Sequence, residues 1–395
     1  MTDLLLHNVR PLGGPAVDVL LHGERIVAID SNLPRPPDAT VEDGGNALLL
    51  PGLIEGHAHL DKTVWGGHWY HNEVGPERMH RIDNERAWRK ANNHAAAARS
   101  LELARAYLAN GTTRMRTHAD IDPDIGLAHV HATMRTREAM AGLIEMQIVA
   151  FPQSGVVRCP GVAAMMDAAL TEGADVIGGI DPCAIDRDPV RQLDTLFDLA
   201  TRRAKPIDIH LHEPGEMGAF SLDLILERTA ALGLQGQVVI SHGFCLGMIP
   251  ARDRDALLER MARLDVRIAT TAPASTPVPP FAVCRAAGVT VFGGNDGIRD
   301  TWTPYAKPDM LDRAMHIGLR NALRRDDELD CALDCVTAAA ARGCGFTSYG
   351  LTPGCRADLV LVQAETVAEA IVSAPLRRLV IAGGRIVARD GVLMT

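Results

Sequence analysis

The stretch Ala47-Leu-Leu-Leu-Pro-Gly-Leu-Ile-Glu55, followed by Gly56-His57-Ala58-His59-Leu60-Asp61, is the most informative part of this chain. Its apolar run predicts a buried strand, and strand side chains alternate between two faces. His57 and His59 are two residues apart, so both point to one face where the strand opens into a loop. Two imidazoles placed together supply half of a transition-metal site.

Short apolar runs recur along the chain and alternate with amphipathic helical stretches. Most are continuous, as expected for parallel strands covered on both faces. We predict strands at 47–55, 112–118, 145–151, 174–180, 206–211, 237–241, 265–271 and 289–293. A helical stretch follows nearly every strand, and the first, Glu85–Asn110, ends at the C-cap signal Asn110-Gly111. Eight β-then-α units predict a (β/α)₈ TIM barrel. A doubly wound open sheet is the alternative, disfavoured because no Gly-x-Gly-x-x-Gly follows the first strand.

The two ends of the chain have a different pattern. Val17–Leu21 and Glu24–Ile29 flank a hairpin signal, and Ala357–Val362 and Leu379–Val387 indicate further antiparallel strands. We therefore expect an α/β protein with a small β-sandwich domain built from both termini, residues 1–50 and 350–395. The catalytic barrel would occupy residues 51–349.

Composition limits the class of partner. The 395 residues include 40 basic and 49 acidic side chains, a net charge of −9, without a basic cluster. This balance disfavours nucleic acid and anionic membranes and favours a small-molecule substrate. Eight scattered cysteines indicate reduced thiols, and neither a signal-peptide pattern nor an 18-residue apolar stretch occurs. We expect a cytoplasmic protein, and a homo-oligomer is compatible with the sequence.

Polar residues concentrate where the predicted strands end. Active sites of TIM barrels lie at the C-terminal ends of the strands. Six of the 15 histidines occupy these positions, which hold His57, His59, Arg116–Asp120, Phe151-Pro152-Gln153, His210–Glu213, Ser241-His242-Gly243 and Gly294-Asn295-Asp296. The segment 62–84 is long for a βα connection and is a candidate lid.

This residue set suits hydrolytic metal chemistry. Neutral imidazoles and one carboxylate can hold a divalent ion with a position left open for water. Such an ion lowers the pKa of its water from about 16 toward ~7, which makes water a nucleophile at neutral pH. A nearby carboxyl group must then take the proton and pass it to the leaving group.

Separated motifs in the same order resemble the amidohydrolase superfamily. The resemblance rests on Pro51–His59, His210, His242, Asp296 and Gly354–Val362. Within the superfamily the chain is most similar to bacterial cytosine deaminases and related N-heterocycle aminohydrolases. The motifs that carry this similarity are Arg116–Asp120, Val149–Gln153, Ile209–Glu213 and Asp296–Trp302.

The resemblance implies metal-dependent hydrolytic deamination of a cytosine-like ring, in which water attacks an amidine carbon and ammonia is released. It implies one divalent ion per chain, Zn²⁺ or Fe²⁺, held by His57, His59, His210 and Asp296. Asp296 would also bond the attacking water, Glu213 would shuttle the proton, and His242 would stabilise the oxyanion. The expected substrate-binding residues are Gln153, Trp302, His118, Lys62 and Arg299.

Three positions depart from the cytosine deaminase pattern. Lys62 stands where that group usually has a small hydroxyl residue, Gly297 replaces a second acidic residue, and Arg299 replaces an apolar one. The change alters both the room and the charge near the leaving group. The segment His-Leu-Asp-Lys also resembles aminohydrolases acting on triazines. An isocytosine, an aminotriazine or a creatinine-like ring therefore remains an alternative substrate.

Other functions are less consistent with the sequence. Ring-amide hydrolases of the dihydroorotase type usually bridge two metals with a lysine at the end of strand 4, but Gly178-Gly-Ile-Asp-Pro182 contains none. A structural assembly protein would not need the full ligand set. The unrelated zinc nucleoside deaminases are excluded because they require Cys-x-x-Cys, which does not occur here.

Overall fold

The structure, a computed structural model, describes residues 3–394. Residues 1, 2 and 395, which the sequence assigns to the small domain, lie outside the described residues. In chain order the strands are β1 (Asp3–Pro11), β2 (Val17–His22), β3 (Arg25–Asp30), β4 (Thr40–Pro51), β5 (Leu53–Ala58), β6 (Thr112–Asp120), β7 (Glu145–Phe151), β8 (Val176–Ile180), β9 (Ile207–Leu211), β10 (Val238–His242), β11 (Arg267–Thr270), β12 (Val291–Gly293), β13 (Leu359–Val362), β14 (Arg377–Ala382), β15 (Arg385–Arg389) and β16 (Val392–Leu393). The α-helices are α1 (Arg78–Asn92), α2 (Ala96–Ala109), α3 (Ala128–Ala139), α4 (Val162–Glu172), α5 (Pro189–Arg203), α6 (Gly215–Ala231), α7 (Ala251–Arg263), α8 (Phe281–Ala286), α9 (Met310–Arg320), α10 (Asp326–Asp334), α11 (Ala338–Cys344) and α12 (Val367–Ser373).

Strands β5 to β12 form the predicted parallel barrel. They are hydrogen-bonded in sequence order, and an isolated parallel bridge between Ala58 and Asp296 joins the first strand to the segment after the last. The helices pack their apolar faces against the outside, as Leu196 and Phe197 of α5 do against Ile209 of β9. The prediction of a TIM barrel is confirmed.

The predicted strand 47–55 is in fact two strands in two sheets. β4 ends at Pro51 in the terminal sheet, and β5 begins at Leu53 in the barrel. Gly52 joins them where a Cβ atom would lie 2.2 Å from Thr113 Oγ1. Continuous apolar character could not separate the strands, because β4 is also buried on both faces at this end: Leu49 packs within the terminal sheet and Leu50 toward the barrel.

Both chain ends build the second sheet, as predicted. Its order is β16-β15-β14-β13-β4-β1-β2-β3. Neighbours pair antiparallel except β1 and β4, which are parallel. The sheet curls, so that the Ile26 amide of the β3 edge donates to the Cys355 carbonyl before β13 at 3.0 Å. One face encloses a core that includes Leu6, Leu21, Leu49, Leu361 and Ile381.

The connection between β5 and β6 differs from the predicted single helix 85–110. Helix α1 starts earlier, at Arg78, and a short 3₁₀ turn separates it from α2. Glu85 and Arg89 of α1 are fully buried, so the helix that begins at Arg78 inside the candidate lid inserts charged side chains into the protein just after residue 84. Among residues 3–394, no helix is long and apolar enough to cross a membrane.

The closure of the barrel predicts the cost of a small substitution. A Cβ atom on Gly294 would lie 2.5 Å from the amide nitrogen of His57 and 2.6 Å from its carbonyl oxygen. Gly294→Ala should therefore lower the free energy of unfolding by about 1–3 kcal/mol, measured by urea denaturation. Gly75→Ala is the control, since nothing lies within 4 Å of its added methyl group. Equal stability of the two variants would contradict this account of the closure.

Candidate metal centre and active site

The histidines predicted at strand ends converge inside the mouth of the barrel. His57 and His59 leave β5, and His210 lies on β9, with the Nε2 atoms of His59 and His210 3.3 Å apart. All three side chains are buried. Burial lowers the pKa of His59 and of His210. Lys62 lowers the pKa of His59 further, and the surrounding histidines lower that of His210 further. These two imidazoles are therefore neutral and keep a lone pair for a ligand.

Asp296 reaches the same point from the segment after β12. Its Oδ1 lies 3.3 Å from His59 Nε2 and 3.7 Å from His57 Nε2, and its Oδ2 lies 3.9 Å from His242 Nε2. Burial opposes ionisation of Asp296, but the close imidazoles of His57 and His59 outweigh it and lower the pKa. The carboxylate is therefore held as an anion within the histidine cluster.

The donor set fits a divalent metal ion. Ligand atoms about 2.1 Å from a tetrahedral ion lie roughly 3.4 Å apart, close to the observed separations. His57 Nε2 is buried without a hydrogen-bond partner among the described residues, although a buried polar atom normally has one. Three overlapping groups meet the spacing for metal binding: His57, His59, His118 and His210; His57, His210, His242 and Asp296; and His59, Asp61 and Asp120.

A hydrogen-bonded chain beneath His57 fixes its ring. His57 Nδ1 lies 2.9 Å from Ser241 Oγ, which donates to Asp208 Oδ1 at 2.6 Å. Arg116 donates to the other oxygen of Asp208 at 3.1 Å. Because Nδ1 is engaged, Nε2 is the atom left to face the site. Such outer contacts orient metal-binding histidines in general.

His118 lies below the cluster and not in an open pocket. It is fully buried, its ring is 4.3 Å from that of His57, and its Nδ1 lies 3.3 Å from the Ala58 carbonyl oxygen. Burial and the charge of His57 lower its pKa to about 3. The sequence left both substrate contact and a supporting role open for His118, and its surroundings favour the supporting role.

Glu213, the predicted proton shuttle, is held rigidly just after β9. One carboxylate oxygen accepts hydrogen bonds from the amides of Cys183 (2.7 Å) and Ala184 (2.8 Å), and the other accepts from Ser221. Burial raises the pKa of Glu213, although the hydrogen bond from Ser221 partly opposes the shift. The carboxyl group is thus fixed in position and more easily protonated than a free glutamate.

The structure also shows the contacts of His212, which the sequence interpretation did not include among the site residues. Asp181, which follows β8, accepts from the amide of His212 at 2.6 Å, and its other oxygen lies 2.9 Å from His212 Nδ1. Arg78 of α1 donates to the same carboxylate at 2.7 Å. The ring of His212 stacks on that of His242 with centroids 4.2 Å apart. Residue types alone could not reveal this, because the partners come from three separate connections.

Lys62 and Gln153, both predicted to bind the substrate, are in contact with each other. Lys62 Nζ donates to Gln153 Oε1 at 2.9 Å and lies 3.5 Å from carboxylate oxygens of Glu85 and Asp120. Burial opposes the charge of Lys62, but Asp120 and Glu85 more than compensate and raise its pKa. Lysine has only donors, so the Gln153 amide must turn its oxygen to Lys62 and its NH₂ group elsewhere.

Trp302 and Arg299 lie in the loop after β12 but have different surroundings. The indole of Trp302 donates to Glu85 of α1 and lies 5.8 Å from Lys62 Nζ. Arg299 instead lies over the rings of Trp65 (5.1 Å) and Trp69 (5.5 Å). Its observed partners therefore belong to the candidate lid.

The space left by the missing side chain of Gly297 is filled by the side chain of Asp300. A Cβ atom on Gly297 would lie 1.8 Å from Asp300 Oδ2. The missing acidic side chain is thus replaced by a carboxylate from three residues further along. Asp300 Oδ1 accepts from the amides of Trp302 (2.8 Å) and Thr303 (2.9 Å), which shapes the loop. Burial raises the pKa of Asp300 to about 6, and Lys62 limits the shift.

The raised pKa of Asp300 predicts a pH-dependent stability difference. Its contribution to the free energy of unfolding is complete below its ordinary pKa of 3.8 and is lost as the pH rises through about 6. Asn at this position cannot ionise, so Asp300→Asn should gain roughly 1 kcal/mol on the wild type between pH 5 and 8, measured by urea denaturation. Asp43→Asn is the control, because Asp43 is exposed and also accepts from the amide two residues on, that of Gly45. A constant difference between Asp300→Asn and the wild type would contradict the prediction.

Known proteins of one family are similar to this chain over nearly its full length. A family model described as "Amidohydrolase family" matches residues 40–388. The crystal structure of N-isopropylammelide isopropylaminohydrolase from Burkholderia multivorans is 59% identical, covers 100% of both chains and has a TM-score of 0.98. N-isopropylammelide isopropyl amidohydrolase of Pseudomonas sp. (strain ADP) is 27% identical, over 99% of this chain and 98% of its own length. The structure of 5-methylcytosine deaminase from Klebsiella pneumoniae is 26% identical, covers 99% of this chain and 98% of its own, and has a TM-score of 0.88. The chain therefore belongs to the amidohydrolase family, and its resemblance to N-heterocycle aminohydrolases of that superfamily is confirmed.

Proposed function

We propose that the protein hydrolyses the exocyclic C–N bond of an oxo-substituted aminotriazine of the N-isopropylammelide type. Water adds to the ring carbon, the C–N bond breaks, and an oxo ring and an amine are released. The observation that carries the choice of ring is the Lys62–Gln153 hydrogen bond of 2.9 Å. It leaves the N–H donors of the Gln153 amide to meet a ligand, and ring oxo groups are acceptors. The 59% identity with the Burkholderia multivorans enzyme supports the same ring class.

The metal-binding assignment is part of this proposal. His57, His59, His210 and Asp296 would hold one Zn²⁺ or Fe²⁺ per chain, for which mixed imidazole and carboxylate donors are suited. When bound, the ion supplies the Lewis acidity that makes water a nucleophile at neutral pH. Ser241 would keep the His57 ring turned for this role through the contact at Nδ1.

The proton path would begin at Glu213. Its fixed carboxylate would accept a proton from the attacking water and return it to a ring nitrogen and then to the departing amine, so that no net proton is consumed. The raised pKa of Glu213 suits a group that must both accept and donate. His242, adjacent to Asp296 and without a partner at either ring nitrogen among the described residues, would stabilise the developing oxyanion.

A cytosine-like ring is the second candidate. The specific observation in its favour is the match along nearly the full chain with 5-methylcytosine deaminase. Cytosine offers a donor N–H beside its oxo group, whereas the dioxo triazine offers an additional acceptor. The N–H donors of the Gln153 amide therefore favour the triazine.

Related expectations stay predictions. The division into a barrel domain at 51–349 and a small domain from 1–50 and 350–395, a cytoplasmic location, a possible homo-oligomeric state and the absence of a nucleic-acid partner all await measurement. So does the expectation that Trp302 and Arg299 contact the substrate.

The choice of ring is tested by amine release from metal-loaded enzyme. N-isopropylammelide, ammelide, cytosine, isocytosine and creatinine are compared at equal concentration, and the triazines should have the highest kcat/KM. Removing one matched hydrogen bond to a charged group costs about 10- to 100-fold, so a difference of this size from cytosine is expected. A higher kcat/KM for cytosine would favour the second candidate, and two metal equivalents per chain would contradict the single-ion site.

The roles of the site residues are tested by variants that separate metal binding from turnover. Glu213→Gln and His242→Asn should lower kcat by at least about 100-fold while keeping the metal and the melting temperature. His57→Ala should lose the metal itself, measured by elemental analysis. The matched control is Glu227→Gln, since Glu227 is an exposed glutamate on helix α6, the helix that follows Glu213. This variant should behave as the wild type. Near-normal turnover by Glu213→Gln or His242→Asn would overturn the assigned role.

A further inference from the structure

The side chain of Asp300 fills the space next to Asp296 that a side chain at position 297 would otherwise occupy. An ideal Cβ on Gly297 lies 1.8 Å from Asp300 Oδ2 and 2.8 Å from its Cγ. The backbone of Gly297 is not in the left-handed region that favours glycine. Glycine is therefore required at this position by the Asp300 carboxylate and not by the chain conformation, and Gly297 directly follows Asp296.

Only one oxygen of Asp300 is used within the protein. Oδ1 accepts from two backbone amides, those of Trp302 and Thr303, whereas Oδ2 accepts no hydrogen bond from residues 3–394. The residue is 3% exposed. Oδ2 is not one of the fully buried polar atoms without a partner, so it faces a small solvent-accessible space in which a ligand can reach it.

Apart from water, the surroundings leave a ligand as the donor for Oδ2. The nearby cation Lys62 is already shared among Gln153, Glu85 and Asp120. Arg299, adjacent in sequence, lies over Trp65 and Trp69. At neutral pH Asp300 is mostly ionised, because its pKa of about 6 is below 7, and an ionised carboxylate only accepts.

We propose that Asp300 is a specificity-determining residue whose Oδ2 accepts a hydrogen bond from an N–H group of the substrate ring or of its exocyclic amine. Gly297 makes room for this carboxylate. Asp300 thereby supplies an acceptor beside the N–H donors of Gln153, and the two residues together select rings that carry both oxo groups and N–H groups. The inference rests on the proposed function in that the ligand is an N-heterocycle.

Two single variants separate substrate contact from loop shaping. Asp300→Asn keeps an oxygen for the amides of Trp302 and Thr303 but can place an NH₂ group where Oδ2 was, and Asp300→Ala removes both. Substrate contact predicts that both lower kcat/KM about 10- to 100-fold with the metal content unchanged. Asp43→Asn, whose carboxylate has the same contact to the amide two residues on, should leave kcat/KM unchanged. Wild-type kcat/KM in Asp300→Asn would reduce Asp300 to shaping the loop and overturn the proposal.

A double variant tests whether the carboxylate can be supplied from position 297 instead of position 300. Gly297→Asp alone should lose activity, because the new side chain collides with Asp300. Gly297→Asp combined with Asp300→Ala returns a carboxylate to the same space and should recover at least about tenfold in kcat/KM over Asp300→Ala. Failure to recover in a folded, metal-loaded double variant would overturn the proposal. Both proteins lack the loop contacts of Asp300 equally, so the comparison isolates the carboxylate.

A binding measurement gives a readout independent of turnover. Hydrolysis of an amino-dioxo triazine yields the trioxo ring, and calorimetry with this ring should give a Kd about 10- to 100-fold weaker for Asp300→Asn than for the wild type. The fully N-methylated trioxo ring, which has no N–H, should bind the two proteins equally. If the wild type hydrolyses cytosine but no triazine, the proposed ring is wrong and the same Asp300 variants are measured on cytosine. Turnover of no ring by the wild type would overturn both proposals.

Discussion

The site depends on the closure of the barrel between its first strand and the segment after its last. The Asp296 amide donates to the His57 carbonyl at 2.8 Å, and the His59 amide donates to the Asp296 carbonyl at 3.3 Å. These bonds fix the His-x-His pair and the aspartate in one register. Gly294 lets the backbones approach, and the buried Glu55 accepts from the amides of both His57 and Asn295. The donor atoms for a metal are therefore placed mainly by backbone pairing.

Burial then determines the charge state of the groups that the closure brings together. It lowers the pKa of His210 and His242 and raises that of Glu213, so imidazoles stay neutral and a carboxyl group can be protonated. Asp296 and His242 both have left-handed backbone conformations, with φ of 66° and 72°. Such conformations cost of order 1–3 kcal/mol each and persist where the surrounding structure enforces them. Their occurrence at two adjacent site residues is consistent with a site held rigid before substrate binds.

Helix α1 extends the site beyond the barrel. Arg78 contacts Asp181, and Glu85 lies between Lys62 and the indole of Trp302. The helix thus ties the connections after β5, β8 and β12 to one another. The candidate lid at 62–84 therefore continues into a helix whose charged side chains Glu85 and Arg89 are fully buried.

Much of the architecture could be predicted because local patterns report directly on it. Continuous apolar runs predicted the barrel strands, and the alternation of a strand predicted that His57 and His59 share a face. The predicted boundaries were wrong where adjacent elements have the same residue pattern, because the pattern then gives no sign of where one element ends. The run 47–55 is apolar throughout, although Gly52 divides it between two sheets, and the helical pattern at 85–110 gave no sign of the turn after Asn92.

By itself the sequence determined the class of fold and the family and predicted the donor residues of a hydrolytic metal centre, since these follow from residue type, spacing and order. Only the tertiary structure decided which further groups complete the site. Glu85, Asp181 and Asp300 come from different connections, and their sequence neighbourhoods resemble ordinary loops and helices. Their roles depend on distances across the barrel mouth, and such distances are determined by packing between elements far apart in the chain.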